Sequence, residues 1–331
     1  MTITAFIPVL SSIVDRRQIQ DLSTVWLKWM AVLLLVFLFF TTTHAFYAAK
    51  FQRVTGEAEW LWAWNWISRQ KPTVFFVTRN FTLAGDHTRV RINVAADPMY
   101  TLYFNEVEVG GGRWKGSSSI DAYDVTDLAI TGVNRIVIAV RAPDGVGGVL
   151  ASVDTGPLSR NIVVTDDTWR LTHDWSPRLL IADPPDTVVS RVLGSPPFGR
   201  WDFPLRRERD RYEAGGYVLP PTASSSTDVT LRKIAIVGGV AIAARDDVRA
   251  RVYDFGPVAG RPRIVVEPGQ MRVIRYRTVM DLAHLLDGSD PNDLVVASGE
   301  QSVTEPEPRS FRYFVALDPI ERVELLSESP E

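Results

Sequence analysis

A chain of 331 residues with 46% apolar and 23% charged residues has the composition of a folded protein with room for two domains. Its formal net charge of -3 offers no basic field, which argues against nucleic acid as a partner. It has no cysteine, and this excludes disulfides, thiolate metal sites, iron–sulfur clusters and cysteine nucleophiles.

Residues 1–25 form an N-terminal segment whose first 14 residues are apolar and suited to an interface or a partner. Residues 26–49 read as one transmembrane helix. The run from Trp26 to Ala49 spans roughly 36 Å as a helix, enough for about 30 Å of hydrocarbon. Its centre, Trp29 to Phe40, carries no charge, and Lys28 can snorkel to the headgroups. Trp26 and Trp29 mark one interface, Phe46 and Tyr47 the other. Thr41 to Thr43 can bond back to helix carbonyls. Thr43-His44-Ala45 would pass as a signal-peptide cleavage site, but the long region before the span favours a retained anchor. Arg16, Arg17 and Lys28 lie on the N-terminal side, Lys28 just inside the start of the span, and Lys50 and Arg53 lie just after it. That bias places the N-terminus in the cytoplasm of a bacterial inner membrane and the bulk of the chain in the periplasm. His44, inside the span, is a candidate ligand for a tetrapyrrole metal, although an interfacial histidine without a ligand is commoner.

Residues 50–73 form a Trp-rich connector. Trp60, Trp62, Trp64 and Trp66 recur at period two, so a strand would carry all four on one face. We expect this stripe to contact membrane lipid or other subunits, with a sugar platform as a further option.

Residues 74–175 turn strand-like, with runs such as VFFVTRNFTL, RVRINVAA and NRIVIAVRA separated by Gly, Asp, Pro and Asn. They predict an antiparallel sandwich or jelly roll. Residues 176–228 are rich in Pro and charge and read as a long connection, with one short helix around Leu205 to Tyr212. A second β-rich block fills 229–326, and 327–331 is a polar tail. The fold class is therefore all-β after one transmembrane helix.

Two stretches carry a resemblance. The first holds Tyr100 to Asn105, Tyr123-Asp-Val-Thr126, Gly132-Val-Asn134 and Thr165-Asp-Asp-Thr-Trp169. It resembles the galactose-binding-like jelly rolls attached to bacterial glycoside hydrolases, above all alpha-L-rhamnosidases, although Glu106 stands where that pattern has Gly. The second holds Tyr253-Asp-Phe-Gly256, Ala259-Gly260 and Phe311-Arg-Tyr313. It looks like the sandwich before the rhamnosidase catalytic barrel, with Pro257 replacing the usual Gln. The resemblance spans about residues 75 to 325. It implies that the catalytic acids would lie in a barrel beyond Leu326, and that these residues are accessory. Independently of it, Asp124 and Asp254 suit turns that bond their own backbone, and Tyr253, Phe255, Phe311 and Tyr313 suit a core.

No catalytic constellation stands out. Asp166/Asp167, Asp246/Asp247 and Glu57/Glu59 are the only paired carboxylates we consider, and adjacent strand residues face opposite sides. The histidines 44, 87, 173 and 284 have no metal-ligand spacing, and the Gly110 to Gly112 run reads as a hairpin-type turn. A structural calcium near Asp86, Asp97 or Asp154 is the one metal that jelly rolls of this class suggest; no other cofactor is expected. Tyr103, Trp114 and Trp175 are candidates for stacking on sugars. The expected function is a non-catalytic, membrane-anchored accessory subunit of a large complex, possible hosts being photosynthetic reaction-centre or respiratory assemblies. The alternative is an anchored carbohydrate-binding protein of the periplasm or cell surface.

Overall fold

The computed structural model describes residues 16–63, 72–85, 89–114, 116, 119–156, 160–188, 190–201, 206–210, 217–219, 226–237, 240–269, 271–282, 293–297, 299–300 and 302–327. Side chains from 206 to 249 lie outside that description. So do the first 15 residues, Trp64, Trp66, Asp86 and His87. The chain divides into two units, residues 1–51 and 52–331.

The first unit is helical. α1 runs Arg16–Thr55, 40 residues, and so continues well beyond the apolar span at both ends. Within it Val25–Phe46 is long and apolar enough to cross a membrane, and none of that window is buried. Thr41 Oγ1 donates to Phe37 O at 3.0 Å and Thr42 Oγ1 to Leu38 O at 2.7 Å. The helix hides these hydroxyls against its own carbonyls, which is how a threonine run tolerates a bilayer.

The second unit is all sheet. Its first sandwich takes strands β1 Trp60–Ala63, β2 Thr73–Leu83, β3 Val90–Asp97, β4 Met99–Phe104, β5 Val107–Arg113, β6 Ser119–Asp124, β7 Gly132–Ala142, β8 Gly148–Thr155, β9 Arg160–Val164, β10 Arg170–Thr172, β11 Ser190–Gly194 and β12 Arg206–Asp210. One sheet is ordered β11-β1-β8-β3-β6-β12 with β9 on β8; the facing one is β10-β2-β7-β4-β5. Leu102, Phe104, Ile136, Ile138 and Val140 from one face and Val90, Ile92, Val94, Val149 and Val153 from the other make one core.

The second sandwich takes β13 Tyr217–Leu219, β14 Ser226–Val237, β15 Val240–Val265, β16 Arg272–Val279, β17 Asp293–Ala297, β18 Ser302–Thr304, β19 Arg309–Ala316 and β20 Arg322–Ser327. The 26-residue β15 serves both its faces, pairing β14 and β19 early and β18 and β20 late. Between the last β14 pair at Tyr253 and the first β20 pair at Arg261, β19 stays paired across a register break from Asp254 to Val258. There Asp254 Oδ1 accepts from Gly256 N at 2.9 Å, Gly256 takes φ 70°, and Arg312 pairs with Asp254 at 3.0 Å. Those hydrogen bonds from Arg312 and Gly256 hold the Asp254 carboxyl below the usual range. The Tyr-Asp-Phe-Gly run is thus the corner where one strand passes between sheets.

Four expectations change. The connector is not free: Trp60 and Trp62 lie in β1, buried at 0% and 5%. Trp60 stacks on Trp201 at 4.3 Å, and Trp62 meets Phe75 edge-on at 5.1 Å. A register shift between Trp60 and Leu61 breaks the period-two alternation, so Trp60 joins a cluster with Trp201 while Trp62 joins the sandwich core, and the chain's own residues cover both. Next, the segment 176–228 supplies β11 and β12 to the first sandwich and the start of the second. The helix expected around Leu205 to Tyr212 is instead β12, parallel to β6. A sheet edge gives its backbone partners that one isolated helical turn lacks. Finally, Gly110 to Gly112 lie within β5 rather than in a turn. A Cβ at Gly111 would sit 2.6 Å from Tyr100 O, and one at Gly110 2.7 Å from the Tyr123 ring, so close approach dictates glycine.

The β4–β5 hairpin turns through Asn105 (φ 45°) and Glu106 (φ 72°). Asn105 is anchored by its amide, donating to Leu128 O and Asn134 Oδ1 at 2.8 Å each. Glu106 occupies a left-handed position that glycine would hold without strain. Glu106→Gly should stabilise the fold by about 1 kcal/mol, read as a higher urea midpoint at unchanged slope.

Candidate functional site

The two sandwiches meet along a seam of buried charge. β7 delivers Arg141, whose side chain is 2% exposed, to Glu300, 3% exposed, in the loop between β17 and β18. The guanidinium also donates to Thr101 Oγ1 at 2.9 Å. Burial alone would lower the Arg141 pKa, but the Glu300 charge outweighs it and holds the guanidinium above its usual value. Beside it, Glu305 collects Arg113 from β5 at 3.3 Å and Arg309 from β19 at 3.4 Å. Apolar contacts flank these pairs. Met99 from β4 joins the core of the second sandwich. Val296 and Val273 of that sandwich pack with Val74, Phe76 and Leu179 of the first.

This seam absorbs two of the three sugar-stacking candidates. Tyr103 and Trp175 are half-buried against that apolar group, their rings 5.7 Å apart at 38°. Burial also pushes the Tyr103 hydroxyl well up. They form no flat platform. Trp114 is elsewhere, on the outer face of the first sandwich, edge-on to Trp60 at 6.0 Å with Ile120, Leu150 and Trp201. The sequence places no two of these three together at an open face. His44 lies on the exposed surface of α1.

The calcium candidates are engaged otherwise. Asp97 accepts from Trp201 Nε1 at 2.9 Å and pairs with Arg200 at 2.6 Å, while burial raises its pKa. Asp154 accepts from Asn93 Nδ2 at 3.0 Å. Among the described residues no group of three or more acidic or histidine side chains is placed to hold a metal. Of the paired carboxylates, Asp166 caps a turn, accepting from Thr168 N at 2.9 Å ahead of Trp169. Asp246 and Asp247 lie on β15 and Glu57 precedes β1.

Sequence reasoning missed a cleft of about 430 Å³ beside β10. Asp174, Arg178 and Asp186 line it, with Leu179, Pro184 and Pro185 as apolar wall. Arg135 braces three of its lining residues from behind, donating to Leu179 O and Ala182 O at 2.6 Å and to Asp183 at 2.9 Å. The proline-rich segment gave a local signal for a long connection, but none for a cleft.

No family model and no curated protein matches the chain. Among solved structures, the alpha-L-rhamnosidase of Dictyoglumus thermophilum aligns at 16% identity over 81% of this chain and 35% of its own, TM-score 0.44. That of Aspergillus terreus aligns at 16% over 81% and 36%, TM-score 0.45. A Pleurotus ostreatus lectin, solved with GalNAc, aligns at 13% over 83% and 75%, TM-score 0.40. The chain thus spans about a third of the length of those rhamnosidases. Likenesses this distant carry no functional argument.

Breaking the seam should be costly. Glu300→Gln leaves the Arg141 charge buried without its counter-charge, and should destabilise by about 3 kcal/mol or more in chemical denaturation. Arg141→Met with Glu300→Leu should recover much of that loss, since an apolar pair of similar volume needs no counter-charge.

Proposed function

We propose that this chain is a non-catalytic, membrane-anchored accessory subunit that brackets neighbouring subunits of a membrane complex. The carrying observation is the buried Arg141–Glu300 pair at the seam. Two sandwiches fixed at such a seam can hold partners at a set spacing, a task that needs rigidity and no reactive centre. The apolar span Val25–Phe46, unburied in its own chain, supports an anchor in the bacterial inner membrane with the bulk in the periplasm. A photosynthetic or respiratory host rests on His44 and the aromatic span alone, and the fold adds nothing to it.

A second reading, carbohydrate binding, is favoured by the cleft, whose size suits a small polar ligand. Glycan-array binding lost in Asp174→Ala with Asp186→Ala would promote it.

Gently solubilised membranes run on a native gel test the first reading. The chain should migrate with a larger assembly; migration only as a free monomer sinks the proposal. Protease added to intact spheroplasts should digest residues 52–331, and full protection would reverse the topology.

A further inference from the structure

One end of the first sandwich carries three exposed aliphatic residues. Val107, Ile130 and Val133 are 37%, 55% and 62% exposed. The β4–β5 turn and the loop from Leu128 to Asn134 meet at this tip, since Asn105 donates to both Leu128 O and Asn134 Oδ1. Gly85, just after β2, joins them: a Cβ on it would lie 3.7 Å from Thr131. β7 then runs from Gly132 at the tip to Arg141 at the seam, roughly 30 Å at ~3.3 Å per residue. The second sandwich therefore attaches at the far end.

The chain enters this sandwich at the tip end. Thr55 is fully buried, and Gly56 abuts Asn161. Asn161 sits opposite Asp154, two positions before Gly156, whose N–H donates to Arg89 O at 3.1 Å. Val90 O accepts from Val125 N at 2.9 Å, where the loop toward Ile130 begins. At ~4.8 Å between strands and ~10 Å between sheets, Gly56 lies within roughly 20 Å of the tip. α1 continues nine residues from Phe46, where the apolar window ends, to Thr55, or about 14 Å. A headgroup layer is about 5–7 Å deep, so an anchored chain enters the sandwich at most ~9 Å outside it.

A tip held this close to the bilayer can be covered by lipid, and its build suits lipid. A loop that enters the boundary between headgroups and acyl chains needs its backbone satisfied from within. Asn134 Nδ2 donates to Ile130 O at 2.7 Å and Gly132 O at 3.0 Å, and its Oδ1 accepts from Ile130 N at 2.9 Å. Asn105 serves Leu128 O at 2.8 Å. Four backbone groups of the loop are thus met internally, and the aliphatic side chains are left outermost. Protein hot spots instead favour aromatic residues and arginine. Among the described residues the tip presents no aromatic ring, and its arginine, Arg89, is paired with Asp124 at 3.0 Å. Glu106 and Asp127 are exposed beside it, so apolar burial rather than attraction to anionic lipid is the driving force.

We infer that this tip is a second membrane contact, at which Val107, Ile130 and Val133 dip to the boundary between lipid headgroups and acyl chains; this rests on the anchored reading and adds a lipid surface to it. The absence of cysteine allows single nitroxide labels at Ile130→Cys, Leu35→Cys and Met280→Cys, on the tip, the apolar span and the second sandwich. The full chain is reconstituted in phosphatidylcholine vesicles, sparsely enough that each holds a single copy. Power saturation then compares collisions with oxygen, which concentrates in lipid, and with nickel-EDDA, which stays in water. The oxygen-to-nickel ratio at Ile130 should exceed that at Met280 at least five-fold. An aqueous ratio at Ile130 with Leu35 in hydrocarbon overturns the inference and leaves the anchor standing, whereas an aqueous Leu35 overturns the anchored reading itself. Shielding of Ile130 that appears only in crowded vesicles assigns the tip to a second copy, and shielding only in native membranes assigns it to another protein; either overturns the commitment to lipid. Shielding that requires phosphatidylglycerol overturns the apolar account. Adding Val107→Asp and Val133→Asp to the Ile130 label should lower its ratio at least three-fold, with the unfolding midpoint as the folding control. An unchanged ratio in the folded variant also overturns the inference.

Discussion

A charge buried between two sandwiches must have its counter-charge, and Arg141 meets that demand only if the second sandwich holds Glu300 in place. The pair adds little net stability, since desolvation of both groups offsets their attraction. Its effect is on geometry. Small departures from the seam leave a charge in a low-dielectric space, so the docked arrangement is steeply preferred over its neighbours. Thr101, Glu305 and the apolar contact between Val296 and Phe76 follow from the same closure. Tyr103 and Trp175 lie where a ligand face was expected because the seam needs apolar bulk beside its charges.

The features legible in the sequence are those whose hydrogen bonds are local. Asp124 accepts from Thr126 N at 3.2 Å, Asp254 from Gly256 N, and Asn134 donates to Gly132 O at 3.0 Å. Each bond spans two residues, so the motif and the turn coincide. The all-β class and the apolar span were legible for the same reason, through short-range periodicity. Trp60 and Trp62 were not, because their cover comes from Trp201 and from Phe75 on another strand, contacts that no local pattern records. The strand at Arg206–Asp210 was missed because its alternating charges carry no apolar face, and only pairing to β6 defines it. Arg141 and Glu300 are separated by 159 positions, and nothing local marks either.

The outcome is a chain with three kinds of surface. An apolar helix requires lipid or protein around it. The sandwich pair buries most of its described aromatic residues. The β14–β15 ribbon leaves strand edges that, among the described residues before Arg251, pair only with each other. On the accessory-subunit proposal, all three would serve as contact surfaces.

Rigidity across the seam is the claim on which the bracket depends, and a distance distribution measures it directly. The chain has no cysteine, so nitroxide labels at Val133→Cys and Met280→Cys, both exposed sites, report only on the two sandwiches. Pulsed dipolar spectroscopy on the solubilised full chain should give one narrow distance that broadens when Glu300→Gln is added. A broad or two-peaked distribution in the chain with Glu300 intact would show that the sandwiches move independently, and would contradict the account.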